Sequence, residues 1–188
     1  MKPTTPTARL LAAGALAAAA VALGCLAAGA GATVVTTCRA AADSDARVDY
    51  GFCVAELGNH RESPDADTWG LAKVAALTGV NNADDAVYDA KALLAKPGAA
   101  AGGPARAALE QCAKLYDSMG FAFAEAEDEI NNRHYAAGKG KAAEAASLAH
   151  QCDDALAKAG AVPSPMAQHS SYSVKIATVC TAITNLIK

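Results

Sequence analysis

Residues 109–156 read LEQCAKLYDSMGFAFAEAEDEINNRHYAAGKGKAAEAASLAHQCDDAL, and the spacing within this stretch decides the fold. Leu109, Cys112, Tyr116, Met119, Phe123, Ala126 and Ile130 alternate steps of three and four, which sets them on one stripe of an α-helix, the packing seam of an antiparallel bundle. The polar break Asn131-Asn132-Arg133-His134 interrupts the pattern. Tyr135, Ala142, Ala145, Leu148, Cys152, Leu156 and Ala159 then resume it in a second helix. Cys112 and Cys152 each lie 20 residues from Asn132. Positions equidistant from the turn of a helical hairpin stand at the same height. Both cysteines fall on apolar faces, so their sulfurs are expected to meet in a disulfide.

The same symmetry recurs upstream, where Cys38 and Cys53 flank Ser44 and Asp45. The segments Thr36 to Ala46 and Asp49 to Leu57 are too short to persist alone, because isolated helices below about 12 to 15 residues are marginal in water. A Cys38–Cys53 bridge would hold them as a hairpin. Further on, Ser63-Pro64-Asp65 offers a capping serine, a first-turn proline and an acid, the signs of a helix start. Trp69, Ala72, Ala76, Val80, Ala83, Val87, Ala90 and Leu94 follow at helical spacing as a core-facing stripe. Lys96-Pro97-Gly98 ends that helix, and an alanine-glycine linker through Gly103-Pro104 leads to the seam described above. Gly160 and Pro163-Ser164-Pro165 precede a last helix in which Val174, Ala177, Cys180, Ile183 and Ile187 face inward. The expected fold is all-α: an N-terminal helical hairpin over 33–62 and an up-down-up-down four-helix bundle over 63–188, stapled by two disulfides. Cys180 is left as a free thiol.

The N-terminus sets the compartment. Lys2 and Arg9 precede an unbroken run of mostly alanine and leucine from Leu10, and the run closes on Ala30-Gly31-Ala32. A positive start, an apolar middle and a small-residue exit read as a cleaved signal peptide over 1–32, and disulfides suit an exported protein. A membrane anchor is the rival reading, since about 20 apolar residues span a bilayer; alanine is a weak apolar residue and the small-residue exit favours cleavage. A lipoprotein would need lipidation at Cys25, in a context that fits poorly. Cleavage removes two of the 16 basic residues and none of the 19 acidic ones, leaving 14 against 19, a net charge of −5. No basic stripe runs along any helix, which argues against nucleic acid as a partner.

Catalytic constellations are missing. The sequence contains no Gly-x-Ser-x-Gly elbow, no phosphate-cradling glycine loop, no His-Glu-x-x-His and no Cys-x-x-Cys-His, so it points to no enzyme, metal or cofactor. His150, Cys152 and Asp153 are close in sequence, but the cysteine is better used in the bridge. Glu125, Glu127, Asp128 and Glu129 form an acidic run near the end of their helix, read as a solvated face or as a charged contact surface. A basic residue beside an aromatic at the hairpin tip has no packing reason, and Arg and Tyr are frequent interface anchors. Arg133, His134 and Tyr135 are therefore the candidate contacts for a protein partner.

The ordered set Thr37-Cys38-Arg39, Asp49-Tyr50-Gly51-Phe52-Cys53-Val54-Ala55-Glu56-Leu57, Ala66-Asp67 with Gly70-Leu71-Ala72, Cys112-Ala113-Lys114-Leu115-Tyr116-Asp117, and Cys152-Asp153-Asp154 with Ser164-Pro165 resembles the plant pectin methylesterase inhibitor and invertase inhibitor family. It looks closest to invertase-inhibitor-labelled members, a group that includes a pollen allergen. The resemblance implies the same hairpin and bundle, consecutive disulfides, and a secreted, non-catalytic inhibitor of the apoplast and cell wall. It would be a monomer that blocks the cleft of pectin methylesterase, or of cell-wall or vacuolar invertase, in a 1:1 complex. Invertase-directed members carry Pro-Lys-Phe near a helix connection; here Asn132-Arg133-His134-Tyr135 keeps a basic residue near an aromatic without the proline. The expectation from another class is a small secreted helical protein that binds a lipid or other ligand.

Overall fold

The computed structural model describes residues 33–96 and 103–188. The signal peptide expected over 1–32, and the helix stop and linker expected across 97–102, lie outside the described residues. The described residues form six helices: α1 Val34–Ser44, α2 Tyr50–Gly58, α3 Thr68–Ala95, α4 Pro104–Asn131, α5 Tyr135–Lys158 and α6 Ala167–Asn185. The long helices close a four-membered ring in which α3 packs on α4 and α6, and α5 packs on the same two. The α1–α2 hairpin lies against α6 and α3.

Local chemistry fixes the ends of these helices. Thr33 and Thr36 form a reciprocal capping box, each side-chain oxygen accepting the other's backbone N–H, at 3.2 and 3.0 Å. Asp49 caps α2 by accepting from Phe52 N at 3.0 Å, and its second oxygen accepts from Lys175 Nζ at 3.1 Å, so a single carboxylate starts the helix and ties the hairpin to α6. Phe52 adds an edge-on contact with Tyr172, ring centroids 5.0 Å apart, and Tyr172 donates to Glu56.

The expected start of α3 at Ser63 is corrected. Residues 59–67 form successive turns, and Asp67 is the cap, accepting from Gly70 N at 2.7 Å. Ser63 is buried, and its hydroxyl has no protein partner. Asp67 prevails because it stands immediately before the periodic residues and its carboxylate meets the first free N–H groups of the helix, the position where an anion is favoured.

The α4 seam is buried along its whole length, from Leu109 to Ile130. Phe123 reaches α3 at Gly79, where a side-chain carbon would stand 2.5 Å from the ring. In α3 the alanines Ala72, Ala76, Ala83 and Ala90 are buried, whereas Trp69, Val80, Val87 and Leu94 are only partly covered. In α6 the buried set is wider than one stripe and includes Ile176, Val179 and Ala182 as well as Ala177, Cys180 and Ile183. Cys38 bonds Cys53 across α1–α2, Cα atoms 5.8 Å apart, and Cys112 bonds Cys152 across α4–α5 at 4.8 Å. Cys180 is the free cysteine among the described residues, fully buried, with its sulfur 3.6 Å from the Ala72 carbonyl.

Two polar chains start in the core and are satisfied by protein partners, the second running out to the exposed carboxylate of Asp89. Tyr116 Oη donates to Ser170 Oγ at 2.7 Å, and Ser170 donates to Asp153 at 2.8 Å, joining α4, α6 and α5. Asn82 Nδ2 donates to Ser173 Oγ at 2.7 Å while its oxygen faces His169 Nδ1 at 3.2 Å, and His169 Nε2 lies 2.9 Å from Asp89, joining α3 to α6. Unmet polar groups in a core are costly, so these chains fix the register of the helices as well as their proximity.

Candidate functional site: the tip between α4 and α5

The tip is built by the way α4 stops. Arg133 N–H donates to Ile130 O at 3.0 Å and His134 N–H to Glu129 O at 2.8 Å, the paired closure that ends many helices. That closure needs a left-handed residue at its centre, and Arg133 supplies it with φ 66°. A side chain there costs about 1 to 2 kcal/mol relative to a right-handed position, which is why glycine usually fills it.

What arginine gains in return is a seat on Trp69. Its guanidinium carbon stands 4.7 Å from the centre of the indole, and Lys73 Nζ stands 4.1 Å from the same ring. The indole is itself fixed, because Trp69 Nε1 donates at 2.9 Å to Ile130 O, the same carbonyl that accepts the Arg133 N–H, so one oxygen ties the turn and the ring together. Arg133 Nη1 donates to Tyr135 Oη at 3.2 Å. His134 is exposed and lies 2.8 Å from Glu129. The three expected contact residues thus form one tip, with Tyr135 half-buried and the other two exposed.

The two cations on Trp69 differ in what remains free. Lys73 donates to Asn131 Oδ1 at 3.0 Å and pairs with Glu127 at 3.5 Å. Arg133 has no carboxylate within ion-pair distance among the described residues. The acidic run is correspondingly less bare than its sequence implies: Glu125 pairs with Lys141 at 2.6 Å, Glu127 with Lys73 and Glu129 with His134, leaving Asp128 unpaired within the run. Exposed pairs of this kind contribute little to stability, but the two lysine pairs offset the charge of Glu125 and Glu127 beside the tip.

Reading the sequence by periodicity missed Trp69 and Lys73. Trp69 looked like a core residue, yet it is half-covered and serves the tip. The readable signal was its spacing from Lys73, four positions on, which stacks a cation over an aromatic on one helix face. The other cluster considered, His150 with Cys152 and Asp153, does not converge: the sulfur is bonded to Cys112, Asp153 accepts from Ser170, and His150 is exposed. Among the described residues no three His, Cys, Asp or Glu side chains gather as metal ligands would, and no helix is long and apolar enough to cross a membrane.

Fold and tip together make a disulfide-stapled helical bundle with a basic and aromatic cluster at the α4–α5 end. Residues 32–183 match the family described as plant invertase/pectin methylesterase inhibitor. The chain is 64% identical over 160 residues to the rice (Oryza sativa subsp. japonica) protein named "Pectinesterase inhibitor 8", covering 85% of this chain and 86% of that one. It is 48% identical over 168 residues to rice "Pectinesterase inhibitor 12", covering 89% and 80%. A Platanus orientalis "Putative invertase inhibitor" matches at 25% over 152 residues, covering 80% and 87%. This chain belongs to the plant invertase/pectin methylesterase inhibitor family and is an inhibitor of such enzymes rather than an enzyme itself. Identity is far higher to the two rice pectinesterase inhibitors than to the invertase-labelled protein, the reverse of the leaning suggested by the sequence motifs.

Proposed function

We propose that this chain inhibits pectin methylesterase rather than invertase. It would act outside the cell after removal of residues 1–32, as a monomer that covers the enzyme's cleft in a 1:1 complex. The observation that carries the choice of target is the 64% identity, over most of both chains, to a protein named as a pectinesterase inhibitor. The lack of a proline beside the basic-aromatic tip agrees with it.

The contact surface on this reading includes Arg133, His134 and Tyr135. They are held at one end of a rigid bundle, and arginine and tyrosine carry much of the energy of protein interfaces. Titrating the disulfide-intact protein against purified pectin methylesterase and purified acid invertase tests the target: saturable inhibition of the first and none of the second is expected, and the opposite result overturns the reading. Replacing Arg133, His134 and Tyr135 together by serine tests the surface. Weaker inhibition is expected from a protein that still folds, and undiminished inhibition moves the contact elsewhere.

A further inference from the structure

Arg133 occupies a backbone position that favours glycine, and its guanidinium has five N–H donors of which one is used, on Tyr135. Strained residues persist where surrounding structure holds them, and an observed outlier is a reason to look for a role. The surroundings here are an indole fixed by its own hydrogen bond to Ile130 O, a tyrosine hydroxyl, and a second cation, Lys73, already neutralised by Glu127. Among the described residues, no carboxylate stands within ion-pair distance of the remaining Arg133 donors. We infer that Trp69 is a positioning residue for target recognition: with Tyr135 it holds the Arg133 fork ready to take a carboxylate of the target enzyme through two parallel hydrogen bonds.

This rests on the reading that the α4–α5 tip touches the target, and it adds the chemical group taken there and the residue that sets the geometry. A planar guanidinium matches a carboxylate in two-point contact, which an ammonium cannot do. Stacking on the indole removes freedom the arginine would otherwise lose on binding, so the positioning is expected to show in affinity. Trp69 itself need not touch the target.

The test is a double-mutant cycle read as the Kd for pectin methylesterase, with melting temperatures measured alongside. Arg133→Ala and Trp69→Leu should each weaken binding about tenfold, about 1.4 kcal/mol. The double variant should be no weaker than Arg133→Ala alone, because the tryptophan acts through the arginine. Trp69→Phe, which keeps a ring under the guanidinium, should stay within about threefold of the parent. Arg133→Lys should bind nearly as poorly as Arg133→Ala. Arg133→Gly should melt no lower than the parent yet bind as weakly as Arg133→Ala, separating backbone strain from recognition.

If Arg133→Ala binds like the parent, the tip reading itself falls. If it weakens while Trp69→Leu does not, or if the two losses add, the tip stands and the positioning role falls. Full binding by Arg133→Lys overturns the forked carboxylate contact. Should Trp69→Leu not fold, Tyr135→Phe, which deletes only the hydroxyl that anchors the guanidinium, carries the cycle: a loss that vanishes in the Arg133→Ala background supports positioning, and an additive loss overturns it.

Discussion

Gly138 and Gly140 stand two residues apart in α5 and look alike in sequence, but their surroundings give them opposite roles. A Cβ on Gly138 would stand 2.7 Å from Ile130 Cγ1 and 3.2 Å from the backbone oxygen of Ala126, so it would press on the neighbouring helix itself. A Cβ on Gly140 meets nothing within 4 Å. Helix propensity alone favours alanine over glycine at both by up to about 1 kcal/mol. Overpacking against a backbone that cannot yield costs about 1 to 3 kcal/mol and outweighs that gain at Gly138. Urea unfolding should therefore show Gly138→Ala destabilised by about 1 kcal/mol or more and Gly140→Ala stabilised by about 0.5 to 1 kcal/mol. Equal shifts in the two variants would mean that α4 and α5 can move apart at the tip. No periodicity rule could have told these two glycines apart.

At the scale of elements, the two disulfides do different work. The loops they close span 15 and 40 residues, worth about 3 and about 4 kcal/mol on chain entropy alone. The bundle buries its own seams, whereas α1 and α2 are 11 and 9 residues long and depend on their bridge and on contacts with α6. Replacing Cys38 and Cys53 by alanine should loosen α1 and α2, with hydrogen exchange rising there, while most of the far-UV helical signal survives. Replacing Cys112 and Cys152 should lower the melting temperature of the whole bundle. Equal helical loss in both variants would contradict this division.

How legible the elements were follows from how many sides each one packs on. The α4 stripe was readable residue by residue because a long helix between two neighbours repeats one pattern from Leu109 to Ile130. The α6 stripe was only half readable, because α6 is covered by α3, α5 and the hairpin together, so Ile176 and Val179 are buried off the expected face. The start of α3 was misread because Ser63 and Asp67 are both plausible caps in sequence and only the turns at 59–67 decide between them. The tip residues Arg133, His134 and Tyr135 could be named from the break in the pattern. Their support could not, since Trp69 reaches them from the first turn of a helix remote in the chain.

For the whole molecule, the buried phenols and the thiol set a pH range of stability that a net charge does not indicate. On the acid side, the Arg47 side chain and backbone hold Asp45 down at about 2, and the Phe52 N–H, followed by Lys175, holds Asp49 below the carboxylate value of 3.8. What these two contribute is complete above 3.8 and is lost as pH falls toward 2. Asp49 is exposed and Asp45 only partly covered, so solvent screening should keep this edge shallow. On the alkaline side, burial pushes the Cys180 thiol up from 9.0 to about 12, and pushes Tyr116 up from 10.0 to about 12 with Asp153 adding to it and the Ser170 hydrogen bond opposing. Burial and the neighbouring Glu56 raise Tyr172 as well. These groups are held neutral in the folded state, so their contribution is complete below the ordinary values and is lost as pH rises through them toward 12. Melting temperature should accordingly be nearly flat from about pH 4 to about pH 9, then fall steeply. The first part of that fall belongs to Cys180, whose ordinary value is the lowest of the three. Cys180→Ala should therefore delay the onset from near 9 to near 10, while in the protein lacking residues 1–32, and with them Cys25, a thiol reagent at neutral pH should find no reactive group in the native state and one after denaturation. An alkaline edge that does not move in Cys180→Ala, or a thiol that reacts without unfolding, would mean that α6 opens from α3 more readily than its buried face implies.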